Sequence, residues 1–119
     1  MRVAVVVPNL NQGDYLGQAL ISLFPQVGID LRVAVVDGGS ADDSTAVIGR
    51  YEKKLAYWRS RVDRGQAAAI NEGIEHLEDT EYVSWVNADD LILPGALARM
   101  ASYADTGAKS INARTQPVP

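Results

Sequence analysis

Runs of β-branched residues alternate with stretches of helical period along this chain, and that alternation constrains the fold more than any other feature. Val3-Ala4-Val5-Val6-Val7 is an unbroken apolar run closed by Pro8, as in a strand buried on both faces of a parallel sheet. Tyr15, Leu16, Ala19, Leu20, Leu23 and Phe24 then recur at helical spacing, with Asn11 or Asp14 as a cap and Pro25 as the stop. Leu31 to Val36 predicts a second strand, and Ser40 with Asp43 three residues on has the form of a capping box opening a helix to about Tyr51. A weaker strand is expected at Leu55 to Arg59. A helix follows from Gly65 to Leu77, with Ala69, Ile70, Gly73, Ile74 and Leu77 on one side. Tyr82 to Val86 predicts a fourth strand, in which Val83 and Trp85 alternate toward the core. Pro94 sits as a first-turn proline before a last helix carrying Leu97, Met100, Ala101 and Ala104.

Four strands separated by three helices, each link long enough for a crossover, specify an α/β protein: a mainly parallel sheet in three α/β/α layers. The 119 residues suffice for one such domain, burying roughly 65% of the surface of the unfolded chain. Residues 107–119 hold only Ile111 and Val118 as large aliphatics, with Pro117 and Pro119 at the end. They are expected to form a poorly ordered tail or linker after a domain of residues 1–106, rather than a fifth strand. The run Val3 to Val7 is too short for a signal-peptide core, and the longest uncharged stretch, 15–29, is interrupted by Gln18, Pro25 and Gln26. Neither a secretion signal nor a transmembrane segment is expected. With no cysteine, disulfides, thiolate metal sites and a cysteine nucleophile are excluded. These features fit a cytoplasmic location.

The net charge of −4 argues against nucleic acid or an anionic surface as a partner recognised through bulk positive field. A phosphate-bearing ligand would need a local source of positive charge. In an open parallel sheet, ligands bind outside the carboxyl ends of the strands, where helix amino termini point their N–H groups. All four predicted strand ends carry polar residues: Pro8-Asn9-Leu10-Asn11, Asp37-Gly38-Gly39-Ser40, Arg61-Val62-Asp63-Arg64-Gly65-Gln66 and Asn87-Ala88-Asp89-Asp90. The glycines after Asp37 allow close backbone approach to a flat ligand. Clustered carboxylates at Asp89 and Asp90 repel one another unless a cation joins them, and oxygen donors suit Mg²⁺ or Mn²⁺. Such an ion would let an acidic protein bind a diphosphate. Arg61 and Arg64 flank the same edge and can pair with phosphate oxygens, while Gln66 and Asn71 offer amides to a sugar or base.

Other readings of these residues are blander. Asp37 can form an Asx-turn, Asp89 or Asp90 can cap the Pro94 helix, and Asn71 can pack. His76, alone among Glu75, Glu78 and Asp79, reads as solvated, and Trp58 and Trp85 read as structural. There is no GxGxxG after the first strand, no GxxxxGK[ST] and no serine nucleophile elbow, which disfavours NAD enzymes, P-loop NTPases and serine triads. A phosphoacceptor signalling domain is disfavoured by Asn9 and Asn11, which stand where such domains place paired acids.

The segments VAVVVPNLNQGDYLGQALISLFPQ, VAVVDGGSADDSTAVIGRY, DRGQAAAINEGI and YVSWVNADDLILPGAL resemble, in order and spacing, the motifs of family 2 glycosyltransferases. The likeness covers about residues 2 to 105. It implies a Rossmann-like GT-A nucleotide-diphospho-sugar transferase fold, here truncated, and hexosyltransferase-type activity of the kind used in cell-wall or polysaccharide biosynthesis. It further implies that Pro8, Asn9 and Asn11 line a nucleoside pocket, that Asp37, followed by Gly38, accepts from the base N–H, typically of uracil, and that Arg64 and Gln66 approach the diphosphate or sugar. Asn87-Ala88-Asp89 stands where the family has its DxD motif. Asp89, with Asp90, would bind the divalent ion, and Asn87 or its neighbour Ala88 would reach the ribose.

The sequence departs from the family at three points. Leu10 replaces a common aromatic, Asn87 replaces the first aspartate of DxD, and members continue into a second half that binds the acceptor and supplies the catalytic base. No catalytic residue is therefore expected here. The expected function is metal-dependent binding of a nucleotide-diphospho-sugar, a UDP-sugar foremost, for transfer to a saccharide, lipid or protein acceptor in the cytoplasm or at the inner membrane face. A second copy of the chain is an admissible partner, and the alternative is a non-catalytic nucleotide-binding remnant or fragment.

Overall fold

The computed structural model describes residues 2–77, 80, 82–105 and 115–117. Strands β1 (Arg2–Asn9), β2 (Asp30–Asp37), β3 (Tyr57–Ser60) and β4 (Tyr82–Trp85) alternate with helices α1 (Gly13–Leu23), α2 (Ser44–Tyr51) and α3 (Gln66–Glu75). The four strands form one parallel sheet in the order β3-β2-β1-β4.

β1 is central, and Val3 to Val7 are wholly buried. Because alternate residues of a strand face opposite ways, its valines serve two cores. Val3, Val5 and Val7 pack with Leu16, Leu20 and Leu23 of α1 and with Val47 and Ile48 of α2. Ala4 and Val6 face the other way, with Ala34, Val36, Ala69 and Leu77. This second core is thin because its residues are small. A Cβ built on Gly73 would lie 2.6 Å from Val6 Cγ1, so the glycine is what allows α3 to lie close to the sheet, with its amino end at the strand ends.

Three local expectations give way to tertiary contacts. Ser40 does not cap α2 and neither Asn11 nor Asp14 caps α1; the flanking residues Asp43 and Gln12 make no side-chain cap bond. Asp42 serves both helices instead, accepting from the Gly13 N–H (2.9 Å) and from the Ser44 N–H (2.9 Å) and hydroxyl (2.5 Å). The Ser44 hydroxyl foremost, with the Gly13 N–H, holds the Asp42 carboxyl below its usual range. Val83 and Trp85 are 40% and 48% exposed rather than in the core, because α3 packs chiefly over β1 and β2 while β4 is the outer strand. Trp58, on the opposite outer strand, is also 39% exposed.

Past β4 the chain forms β5 (Asp90–Ile92) and helix α4 (Ala96–Asp105), which starts two residues after Pro94 because Pro94-Gly95 make a turn. β5 pairs antiparallel with β6 (Thr115–Pro117), so a strand does occur within the segment expected to lack one; the rest of residues 107–119 lies outside the described residues. Gln26 pins this region to α1, donating to the Leu93 carbonyl (3.1 Å) and accepting from the Leu97 N–H (3.3 Å).

Candidate functional site

The strand order runs outward from β1 to β2 and β3, then reverses to place β4 on the other flank of β1. That reversal splays the loops apart at the carboxyl ends of β1 and β4. A cleft of about 410 Å³ opens there. Pro8, Asn9 and Leu10 line it from β1 and its loop, Gly38 from the end of β2, Gly65 and Gln66 from the start of α3, and Asn87, Ala88 and Asp89 from the turn after β4.

Seven of the predicted residues thus converge: Pro8, Asn9, Gly38, Gln66, Asn87, Ala88 and Asp89. Four do not line the cleft. Asn11, at φ 53°, is exposed and clasps the neighbouring loop: its N–H donates to Ser40 Oγ (2.8 Å) and its Oδ1 accepts from the Ala41 N–H (2.8 Å). Asp90 begins β5 and its N–H donates to the Asn87 carbonyl (3.1 Å). Arg64 is exposed in the loop before α3 and makes no ion pair among the described residues.

Asp37 is the largest correction. Its side chain is completely buried, and both carboxylate oxygens are taken by the protein. Oδ1 accepts from Asn9 Nδ2 (2.7 Å) and Ser40 Oγ (2.6 Å). Oδ2 accepts from Ser60 Oγ (2.7 Å) and from the N–H groups of Ser40 (2.9 Å) and Gly39 (3.2 Å). Burial pushes this carboxyl up, but the donors of Ser40, Ser60 and Asn9 outweigh it and hold it below the ordinary range. Asp37 in this arrangement ties the ends of β1, β2 and β3 together, and presents no acceptor to a base.

Sequence reasoning missed Asp63 and Arg59. Asp63 lines the cleft; its Oδ1 accepts from the Gly65 N–H (2.9 Å) and its Oδ2 lies 3.2 Å from Arg59 Nη2. Arg59 is 8% exposed and also bonds Glu72 Oε2 (2.6 Å), the Asp37 carbonyl (2.5 Å) and the Arg61 carbonyl (2.9 Å). It therefore links β2, the β3–α3 loop and α3. Glu72 further accepts from Arg61 (2.9 Å) and the Tyr57 hydroxyl (2.9 Å); Arg59 above all pulls its carboxyl down to about 2. Tyr57 in turn stacks on His76 at 3.8 Å. An arginine inside a strand pattern, with a glutamate on the following helix, was the signal available for this network.

The cleft's donor set fits a shared divalent ion better than a resident one. Asp89 is exposed, and the Oδ1 of Asn87 accepts from Gln66 Nε2 at 2.8 Å. Among the described residues no three histidines, cysteines or carboxylates converge closely enough to hold a metal. Mg²⁺ is commonly held by one or two carboxylates together with substrate phosphates, which is what Asp89 at the mouth of a cleft can provide. Among the described residues no helix is long and apolar enough to cross a membrane.

A sequence model of glycosyl transferase family 2 matches residues 4–117. The chain is 30% identical over 95 residues to an uncharacterised glycosyltransferase of Rickettsia typhi, covering 80% of this chain and 29% of the relative. It is 30% identical over 95 residues to the Escherichia coli uncharacterised glycosyltransferase YibD, covering 78% and 27% respectively. Among solved structures, Staphylococcus aureus TarS 1-349 in complex with UDP-GlcNAc superposes with a TM-score of 0.77 at 28% identity, over 89% of this chain and 32% of that one. The mannosyltransferase PcManGT of Pyrobaculum calidifontis, in complex with GDP-Man and Mn²⁺, gives 0.76 at 28% identity, over 85% and 31%. The chain spans between 13% and 41% of the length of the curated relatives it matches.

Proposed function

The chain belongs to glycosyl transferase family 2, and on that premise we propose that its cleft binds the nucleotide-diphospho-sugar donor of a glycosyl transfer. The observation that carries this reading is the convergence of four strand-end loops on one cleft at the sheet's reversal point. The two ends of the cleft divide the work. The nucleoside lies at the β1–β2 end, against Pro8, Leu10 and Gly38. The diphosphate lies toward the β4 end, where three groups supply the positive charge that an acidic chain lacks. These are a divalent ion, Mg²⁺ or Mn²⁺, held by Asp89; the N–H groups at the amino end of α3, which has no side-chain cap; and Arg64, which does not itself line the cleft but stands between its lining residues Asp63 and Gly65. When bound, the ion neutralises charge on the phosphates and so favours departure of the diphosphate. Gln66 and Asn87, bonded to each other, stand where a sugar or ribose hydroxyl can exchange into their pair.

The donor proposed first is a UDP-sugar, and the acceptor is a saccharide, lipid or protein hydroxyl. Displacement at the sugar requires a base on the face opposite the diphosphate. No described cleft residue is assigned that role.

Titration calorimetry tests the reading. UDP is expected to bind with Mn²⁺ and to lose about ten-fold or more in affinity under EDTA. Asp89→Ala is expected to abolish that metal dependence. Asp63→Ala is expected to weaken binding equally with and without the ion. Identical UDP affinity with and without EDTA overturns the role given to Asp89.

A further inference from the structure

Resting on the donor-cleft reading above, we infer that Ser22 and Gln26, neither of which lines the cleft, are positioning residues for the Asp89 carboxylate. They fasten the backbone that carries it to the carboxyl end of α1.

The need for such a fastening follows from the topology. The ladder between β4 and β1 ends where the Val86 N–H donates to the Val6 carbonyl (3.0 Å). β5 pairs with β6 in a separate two-stranded sheet, so the ladder of the parallel sheet does not fix its height. The turn from Asn87 to Asp90 is thus held by β1 on one side and needs an anchor on the other. Asp89 does not supply one, because its side chain is exposed and has no partner among the described residues. Ala88, Ile92 and Leu97 share a core with Leu16, Leu20 and Leu23 of α1, but apolar contact is non-directional and does not set where along the helix the segment lies.

Directional contacts come from two side chains. Ser22 Oγ donates to the Ala19 carbonyl (2.6 Å) and accepts from the Ile92 N–H (3.0 Å). Ile92 is 3% exposed, so a backbone donor buried there needs a partner inside the protein. Gln26 is 8% exposed. Its Nε2 donates to the Ser22 and Leu93 carbonyls, both at 3.1 Å, and its Oε1 accepts from the Leu97 N–H (3.3 Å). Turning the amide over would set Oε1 against two carbonyl oxygens, so its orientation is determined. One amide therefore ties α1 to the residue after β5 and to the first turn of α4.

Exposure makes the Asp89 carboxylate available to an ion, and the two fastenings decide where it stands. Mg²⁺ takes its ligands at about 2.0–2.1 Å in near-ideal octahedral geometry. A turn free to slide along α1 by about an ångström would present the same carboxylate and lose the ion. The nucleoside end is built on β1, β2 and β3 and does not depend on these bonds.

The experiment is calorimetric titration of UDP, with Mn²⁺ and with EDTA, into the full chain, Ser22→Ala and Gln26→Met, each checked for folding by circular dichroism. In the unaltered protein Mn²⁺ is expected to strengthen binding about ten-fold or more. In either variant that ratio is expected to fall below about three, while affinity under EDTA stays within about two-fold. Amide hydrogen exchange of the metal-free chain gives a second readout. The Asp90 N–H closes the turn on the Asn87 carbonyl (3.1 Å). It is expected to exchange about ten-fold faster or more in both variants, with Val5 and Val7 of β1 unchanged. An unaltered ratio in the folded variants, or equal losses with Mn²⁺ and with EDTA, overturns the inference and leaves the donor-cleft reading standing. An Asp90 amide as protected as before does the same. Should Gln26→Met not fold, Ser22→Ala, which deletes a single oxygen, decides alone. Failure of UDP to bind the unaltered protein removes the donor-cleft reading, binding without Mn²⁺ dependence removes the ion from it, and either removes this inference.

Discussion

The two ends of the cleft are built differently. At the β1–β2–β3 end, the Asp37 carboxylate accepts five hydrogen bonds and Arg59 joins three segments of chain. At the β4 end, Asp89 is exposed and a side-chain bond between Gln66 and Asn87 crosses the gap. Under the proposed donor reading, the difference separates recognition from charge compensation. A base is discriminated by groups whose direction is settled before it arrives, because reorienting them on binding would use up the selectivity. A divalent ion arrives with its own ligands, the phosphates, and needs from the protein only an accessible carboxylate.

The sharpest way to break this comparison is to unfold the protein from each end in turn. Arg59→Met removes the partner of Glu72, Asp63 and two carbonyls, and is expected to cost about 3–5 kcal/mol in urea denaturation, because buried charges lose their counterpart. Asp89→Ala is expected to stay within about 0.5 kcal/mol of the unaltered protein. Equal losses would mean that the β4 end is as tightly built as the other.

Acid is expected to act on the same end, with a smaller effect. Glu72 falls from 4.5 to about 2 on folding, through Arg59 first, and Asp37 is also lowered. Carboxyls depressed in the folded state contribute stability that is fully present above their unfolded values and lost as they protonate. Stability should therefore hold above about pH 4.5 and fall toward pH 2, by on the order of 2 kcal/mol once solvent screening is allowed for. Glu72→Gln should flatten that acid limb in pH-dependent denaturation; an unchanged limb would move the acid sensitivity elsewhere.

A smaller effect than either is expected at Gly39, in the turn after β2. Its φ is +89°, and a Cβ there would stand 3.0 Å from the backbone nitrogen of Val62. Gly39→Ala is expected to cost about 1–2 kcal/mol by thermal denaturation, combining backbone strain with a contact that cannot relax. Gly49→Ala is expected to stabilise slightly, since nothing lies within 4 Å of it in the middle of α2. A neutral Gly39→Ala would show that the loops at the β1–β2–β3 end have more give than their hydrogen bonds suggest.

Much of the fold was legible because its signals are local. Val3 to Val7 announced a strand buried on both sides, and helical spacing from Tyr15 to Phe24 announced α1, since burial imposes its period on consecutive residues. The short pairing of β5 with β6 was not legible. Neither strand carries a periodic pattern long enough to read, and each exists because the other supplies its hydrogen bonds. Trp85 was misread for a related reason: alternation locates the two faces of a strand, but says nothing of whether a helix covers both.

The site divides along the same line. Pro8, Asn9, Gly38, Gln66 and Asn87 to Asp89 could be placed at strand ends by counting along the chain, and the cleft gathers them. Asp37 and Asp63 could not be told apart in that way, since both are aspartates followed closely by glycine in a strand-end loop. By itself, the sequence determined the class of fold, the edge of the sheet where the cleft opens and the family. The tertiary structure alone decided which carboxylate is buried as a strut and which lines the cleft, because an aspartate's place is set by its donors. Asp37 draws donors from 28 and 23 residues away, Asn9 and Ser60, while Asp63 is turned to the cleft by a buried arginine four residues before it.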